Sequence, residues 1–381
     1  MATGADDEYW EGQNLPSTFK HTLLDKYVPQ FAGMTGSRSF DRRVVFLDGY
    51  AGRGRYDDGK SGSAERIMRI AEIQAQRGLK WTCFFVEKDP QSAAVLQGVV
   101  NEYRGRGVDA RAHEGDVSDV LSDVLKEAAG VPLFLFLDPT GFGMPYDRLV
   151  RSLTETRGTA WPPTEVLLNF SLEAVRRTAG HVSSEHGVEA SMRRLDAAVG
   201  GPWWRSPFRS GYTDQAVALV AREFSSRLAS STSMNVVSVP VTRAPGHKPL
   251  YHLVFGTRKQ HGLWAFGDSV ARATEAWWDT LEEVEASADP GVLFGVAETI
   301  RPKLETVESQ AVPVIAENLA ALLDEVPSFS TVERTLRIFG DYYGQVREPT
   351  VRQAVRRLYA EGRTGCDGKG GKPRDLVVTR L

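Results

Sequence analysis

Four acidic residues stand where apolar runs end. Asp48 closes Val44-Val45-Phe46-Leu47, and Glu87 closes Thr82-Cys83-Phe84-Phe85-Val86. Asp116 follows Gly115 a few residues after the short run at 109–112, and Asp138 closes Leu133-Phe134-Leu135-Phe136-Leu137. Carboxylates accept hydrogen bonds and repel phosphate, so such a set suits a neutral or cationic nucleoside better than a polyphosphate. After Asp48 comes a glycine-rich loop, Gly49-Tyr50-Ala51-Gly52-Arg53-Gly54-Arg55-Tyr56. Gly52 and Gly54 would let the backbone approach a ligand that a Cβ would exclude. Glu87 is placed to accept from both ribose hydroxyls, and is preferred to Asp89 because it lies nearer the strand end. Asp116 could accept from an adenine amino group. Tyr50 either lines this pocket or packs beneath the loop. Together they point to S-adenosylmethionine as the cofactor.

The fourth acid opens a different stretch, Asp138-Pro139-Thr140-Gly141-Phe142-Gly143. Methyltransferases acting on base amino groups often carry D/N-P-P-Y/F here, where the acid accepts from the amine and the aromatic ring stacks on the base. Methyl transfer is an in-line displacement that needs the nucleophile aligned and its lone pair free. Asp138 is therefore the candidate catalytic residue, with Phe142 and Asn169 as substrate contacts. Thr140 and Gly141 depart from the base-modifying pattern, and helix capping is the competing role for both Asp138 and Asn169.

The same region contains a literal phosphate-loop match, Gly54-Arg55-Tyr56-Asp57-Asp58-Gly59-Lys60-Ser61. It implies an alternative, a nucleotide hydrolase using Lys60 and Ser61. Against it, five residues separate the strand from its first glycine, and the Asp57-Asp58 pair would face the phosphates.

These residues need a frame. Apolar residues at helical spacing predict a helix over 19–31, followed by a buried strand at 44–48. Helices at 64–76, 90–103 and 117–128 then alternate with strands at 82–86, 109–112 and 133–137. A helix from Tyr146 precedes a strand at 165–170. The alternation implies an α/β fold with a doubly wound, Rossmann-like methyltransferase sheet. Regularity breaks over about 178–211, read as an irregular insertion facing the substrate, in which Trp203-Trp204 form either an aromatic platform or lid packing. A helix at 214–228 and two strands, 236–241 and 251–256, complete the sheet as a hairpin-like edge pair. The domain reading is therefore 1–288 for the cofactor domain, 289–329 for a helical linker, and 330–381 for a winged-helix-like domain.

In that last segment Arg352, Arg356 and Arg357 share a helix, while Lys369, Lys372 and Arg374 fall in the expected wing. Such a unit could contact DNA, or serve dimerisation or substrate capping. A third reading is thus a non-catalytic winged-helix DNA-binding partner protein. The whole chain, 381 residues with a formal net charge of −3, gives no global reason to bind nucleic acid or a membrane. Two cysteines, Cys83 and Cys366, argue against a disulfide framework. The seven histidines, His181 and His186 among them, show no metal-ligand spacing. The acidic N-terminus carries no apolar signal core, and a cytoplasmic location is expected.

The order of motifs resembles the three-Cys-motif partner protein family. Matching positions are a helix containing Lys20, the loop from Asp48 to Tyr56, Gly62-Ser63, Asp138-Pro139-Thr140-Gly141, Asn169-Phe170-Ser171, and Tyr251-His252-Leu253-Val254-Phe255 with Gly262. The resemblance spans about residues 15 to 280. It implies an S-adenosylmethionine-dependent, methyltransferase-like fold and a three-cysteine protein as partner, and leaves the acceptor open among nucleosides, nucleic acids and small metabolites. From the residues alone, Lys20 reads as a solvated charge on a helix face.

Overall fold

The structure is a computed structural model describing residues 15–182, 184, 188–288 and 300–381. The acidic N-terminal stretch, His186 and the start of the expected linker at Asp289 lie outside the described residues. The chain forms two compact units, one of Phe31–Arg258 and one of Leu15–Gln30 with Lys259–Leu381.

In the first unit, strands β1 (Arg43–Asp48), β2 (Lys80–Glu87), β3 (Asp109–Glu114), β4 (Leu133–Leu137) and β5 (Thr164–Ser171) run parallel. With β6 (Asn235–Val241) and β7 (Tyr251–Thr257) they form one seven-stranded sheet, ordered β3-β2-β1-β4-β5-β7-β6. Continuous apolar runs make the central strands because both of their faces are covered. Val45, Leu47, Leu133 and Leu135 enter the core on one side. Phe46 and Phe134 stack on the other, with ring centroids 5.6 Å apart. Each such buried side chain contributes about 1.5–3 kcal/mol.

Only β7 is antiparallel to its neighbours, and it lies between β5 and β6. The edge pair read from the sequence is present, with β6 outermost. That position suits Pro240, which has no N–H to give a further strand.

Helices α2 (Ser63–Ala75), α3 (Pro90–Gly105), α4 (Val117–Glu127), α5 (Tyr146–Arg151), α6 (Leu172–Ala179), α7 (Glu189–Val199) and α8 (Asp214–Thr232) complete this unit; α1 (Leu15–Phe31) precedes β1 in the chain. The insertion is more regular than expected. It holds α7 and a 3-10 turn, Pro202–Phe208. Only Leu195 and Val199 of α7 are buried, too few to show helical periodicity. Trp204 is fully buried, and its indole N–H donates to Asp196 Oδ1 on α7 at 2.7 Å. That bond lies within the insertion, and the Trp204 ring joins the apolar core with Phe208 and Phe224, so the packing reading of Trp204 holds.

In the second unit, α9 (Gln260–Ala288) and α10 (Leu304–Glu325) are integral elements. Trp264, Ile315, Leu319 and Leu323 share one apolar core with Ile338, Val351, Leu358 and Val378. The helices α11 (Thr335–Phe339) and α12 (Pro349–Ala360) are present, but no hairpin closes on the glycine-rich tip. Instead β9 (Val377–Thr379) pairs antiparallel with β8 (Ser328–Ser330), which precedes both helices. Arg352 is drawn inward, donating to the carbonyls of Gly368, Gly370 and Gly371. Arg357 pairs with Glu361 at 2.8 Å, and Lys369 with Asp367 at 3.1 Å. Lys20 on α1 is buried, only 6% exposed, and so is not a solvated charge. No described helix is long and apolar enough to cross a membrane.

Candidate functional site

Strand order decides which residues meet. Reading β3-β2-β1-β4-β5 across the sheet, the carboxyl ends carry Asp116, Glu87, Asp48, Asp138 and Asn169 in a row. Neighbouring strands lie about 4.8 Å apart. The order reverses between β1 and β4, the point where doubly wound sheets hold ligands.

Asp48 has no exposed surface. Its oxygens accept from the Tyr50 amide at 3.1 Å and the Ser63 hydroxyl at 2.6 Å, so it organises the loop from below. Ser63, the first residue of α2, is a member of this site that sequence reasoning noted only as part of a motif. Gly52 and Gly54 adopt positive φ, +59° and +76°, the region that favours glycine. Gly54 has a packing reason as well, since a Cβ there would lie 3.0 Å from Leu96.

Glu87 joins the loop to the next strand end. Oε2 accepts from the Gly52 amide at 2.9 Å and Oε1 from the Asp89 amide at 2.8 Å. Each oxygen keeps acceptor capacity. Asp89 instead caps α3, accepting from the Ser92 amide at 2.8 Å. Asp116 caps α4 through Ser118 N at 3.0 Å, and its other oxygen meets Lys88 at 3.3 Å. Partial burial opposes its ionisation, but the Ser118 bonds and the Lys88 charge hold it below the usual carboxylate range.

Tyr50 is half-buried and packs against the core. Burial first, and the Asp116 charge second, push its phenol far above the ordinary tyrosine value, opposed only partly by the Met144 amide. It is therefore a neutral phenol supporting the 139–144 loop. At the far end of the row Asn169 Nδ2 donates to Asp138 Oδ1 at 2.8 Å. Phe142 and Asn169 line a pocket beside this pair, together with residues of α7 whose part in the site the sequence did not reveal.

The phosphate-loop match is a tight hairpin. Arg55 pairs with Ser61 as an isolated antiparallel bridge, Tyr56 N donates to Lys60 O, and Gly59 N to Tyr56 O. Lys60 turns its ammonium to Asp58 at 3.1 Å, and Ser61 Oγ accepts from Arg69 at 2.7 Å. Backbone N–H groups that would cradle a phosphate are spent inside the loop. Among the described residues no group of three or more His, Cys, Asp or Glu side chains is arranged to hold a metal.

The seven-stranded order with one antiparallel strand is that of the Rossmann-like methyltransferase sheet. No family model and no curated protein matches the chain. Among solved structures it is similar to the methyltransferase domain of bacterial CtHen1-CN, at 8% identity and TM-score 0.30, covering 62% of this chain and 99% of that one. It is also similar to an O-methyltransferase from Bacillus cereus solved with SAH, at 10% identity and TM-score 0.30, covering 66% and 94%. A third is a SAM-dependent methyltransferase from Aquifex aeolicus, at 10% identity and TM-score 0.25, covering 64% and 97%. These likenesses are remote, and the fold class is read from the strand order itself.

Proposed function

We propose that the chain is an S-adenosylmethionine-dependent methyltransferase of the three-Cys-motif partner type, acting on a nitrogen or oxygen of a nucleoside, nucleic acid or small metabolite. The observation that carries this reading is Glu87, fixed at the end of β2 by two backbone N–H groups while retaining a lone pair on each oxygen. A diol is the ligand such a carboxylate suits. The donor set fits the cofactor: Asp116 and Glu87 are acceptors for its adenosine part, and the positive-φ turn at Gly52 and Gly54 bounds the space for its methionine part. Bound there, S-adenosylmethionine supplies an electrophilic methyl group on a cationic sulfur. Asp138, oriented by Asn169, would accept the acceptor's proton or its hydrogen bond and so free the lone pair that attacks. Tyr50 holds the loop that carries Phe142.

A calorimetric titration with S-adenosylhomocysteine and, separately, Mg-ATP tests this. Binding of S-adenosylhomocysteine alone is expected. Binding of Mg-ATP alone, lost in Lys60→Ala, would overturn it.

A further inference from the structure

The sheet edge that carries Asp138 changes its charge from one side to the other. Asp116, Glu87 and Asp48 stand on the cofactor side. Beyond β5, residues 172–250 hold ten Lys and Arg against six Asp and Glu, in a chain whose net charge is −3. Part of that surplus gathers on one surface. The 242–250 loop joins β6 to β7 beside the carboxyl end of β5, and Leu250 O accepts from the amides of Leu172 and Glu173 at the start of α6. Arg176 on α6 donates to Pro249 O at 2.7 Å, and Arg243 of the loop meets Glu173 at 3.6 Å. Arg177 lies four residues after Glu173 and so shares its helix face.

An aromatic ring stands beside the same loop. Tyr212 is 46% exposed, and its ring lies nearly parallel to that of buried Phe208, with centroids 6.3 Å apart. Its hydroxyl donates to Asp214 Oδ1 at 3.1 Å, and Lys248 of the loop pairs with the same carboxylate at 2.6 Å. The ring is thus held in place with much of its surface open. The acids here, Glu173 and Asp214, are matched by Arg243 and Lys248. Arg177 and Arg209 are exposed, and among the described residues their guanidinium groups have no partner.

We infer that this surface binds a single-stranded nucleic acid, its phosphates on Arg176, Arg177 and Arg209 and one base stacked on Tyr212. Guanidinium groups take phosphate through paired N–H donors, and an aromatic face accepts any base; together they are the elements of single-strand recognition. A duplex suits the surface less, because stacked base pairs hide the face that Tyr212 needs. Along the chain Arg177 is at most about 15 Å from Asn169, so a strand seated here has its neighbouring nucleotides within reach of Asp138. The inference rests on the methyltransferase reading and chooses nucleic acid among its acceptors.

Fluorescence anisotropy on the full chain tests this, with S-adenosylhomocysteine present and a labelled single strand of about twelve nucleotides as the probe. Binding is expected to weaken with salt on a logarithmic slope of about −2, as phosphate contacts to the three arginines predict. Arg177→Ala combined with Arg209→Ala should make that slope shallower by about 1.4. Tyr212→Ala should weaken binding about tenfold with the slope unchanged, and Tyr212→Phe should retain it. Every variant should keep its melting transition. The matched duplex and inorganic polyphosphate should bind more weakly than the single strand. No binding of the single strand, tighter binding of duplex or polyphosphate, or an affinity and slope indifferent to all of these alanine substitutions would overturn the inference. Failure of the intact protein to bind S-adenosylhomocysteine, read by calorimetry, would instead overturn the cofactor assignment and leave the strand-binding result standing.

Discussion

Asn169 Nδ2 donates to Asp138 Oδ1 at 2.8 Å across the neighbouring ends of β5 and β4. This bond holds the Asp138 carboxylate in place and leaves Asn169 Oδ1 as a buried, unpartnered acceptor on a residue that lines the apolar pocket. Two groups, one able to take a proton and one able to accept a hydrogen bond, are thereby oriented by each other.

Asp138→Ala leaves the Asn169 amide without its acceptor and should cost about 1–3 kcal/mol in urea denaturation. In a double-mutant cycle with Asn169→Ala the two losses should be non-additive by about 1 kcal/mol or more. Affinity for S-adenosylhomocysteine should stay within twofold, and methyl transfer should vanish. Full turnover in Asp138→Ala would remove this residue from the mechanism.

Glu65 supports the glycine-rich loop from the first turn of α2. It is 5% exposed, receives a forked bond from Arg55 at 3.0 and 2.6 Å, and accepts from Tyr103 at 3.3 Å. Glu65→Ala should lower stability by about 1–3 kcal/mol and weaken S-adenosylhomocysteine binding through the loop. Calorimetry on the folded variant separates the effects. Unchanged affinity would show that the loop holds its shape without this anchor.

His252 gives the sheet a pH dependence. Burial first, and the Arg176 charge second, lower its pKa from 6.5 to about 4. Its Nδ1 lies 2.7 Å from Ser238 Oγ on the edge strand. Between pH 6.5 and 4 the unfolded chain takes up a proton that the folded chain refuses, so stability falls as pH drops through this window. At pH 5 the loss from this residue is about 2 kcal/mol. Urea midpoints at pH 7 and 5 should converge in His252→Gln; an unchanged acid slope in that variant would contradict the assignment.

Lys60→Ala should change stability by less than about 0.5 kcal/mol, because the Lys60–Asp58 pair is exposed. No ATPase activity should appear in either protein. Loss of a real ATPase rate in the variant would restore the phosphate-loop reading.

The central sheet was legible because parallel strands buried on both faces are written as continuous apolar runs, such as Leu133 to Leu137. Asp48, Glu87 and Asp138 were legible for the same reason, since each marks where such a run ends, while Asp116 follows the polar strand β3. Less visible were features set by tertiary contact. Asp48 looked like a ligand contact, yet its carboxylate is buried under the loop and held by Ser63. α7 has only two buried residues, and it lines a pocket with residues distant in sequence, Phe142 and Asn169. In the second unit, α10 read as a linker because its apolar face is matched only by distant residues such as Val351 and Val378. The basic residues of 330–381 suggested a nucleic-acid surface; that Arg352 turns to the Gly368 and Gly370 carbonyls is set by tertiary contact and was not visible in the sequence.

The most direct test is calorimetric titration of S-adenosylhomocysteine into the intact protein and into Glu87→Ala. The intact protein should bind. The variant, lacking the carboxylate that receives the Gly52 and Asp89 amides and would hold the ribose, should bind about a hundredfold more weakly. Equal affinity in both proteins, or none in the intact one, would contradict the assignment of this sheet edge as the cofactor site.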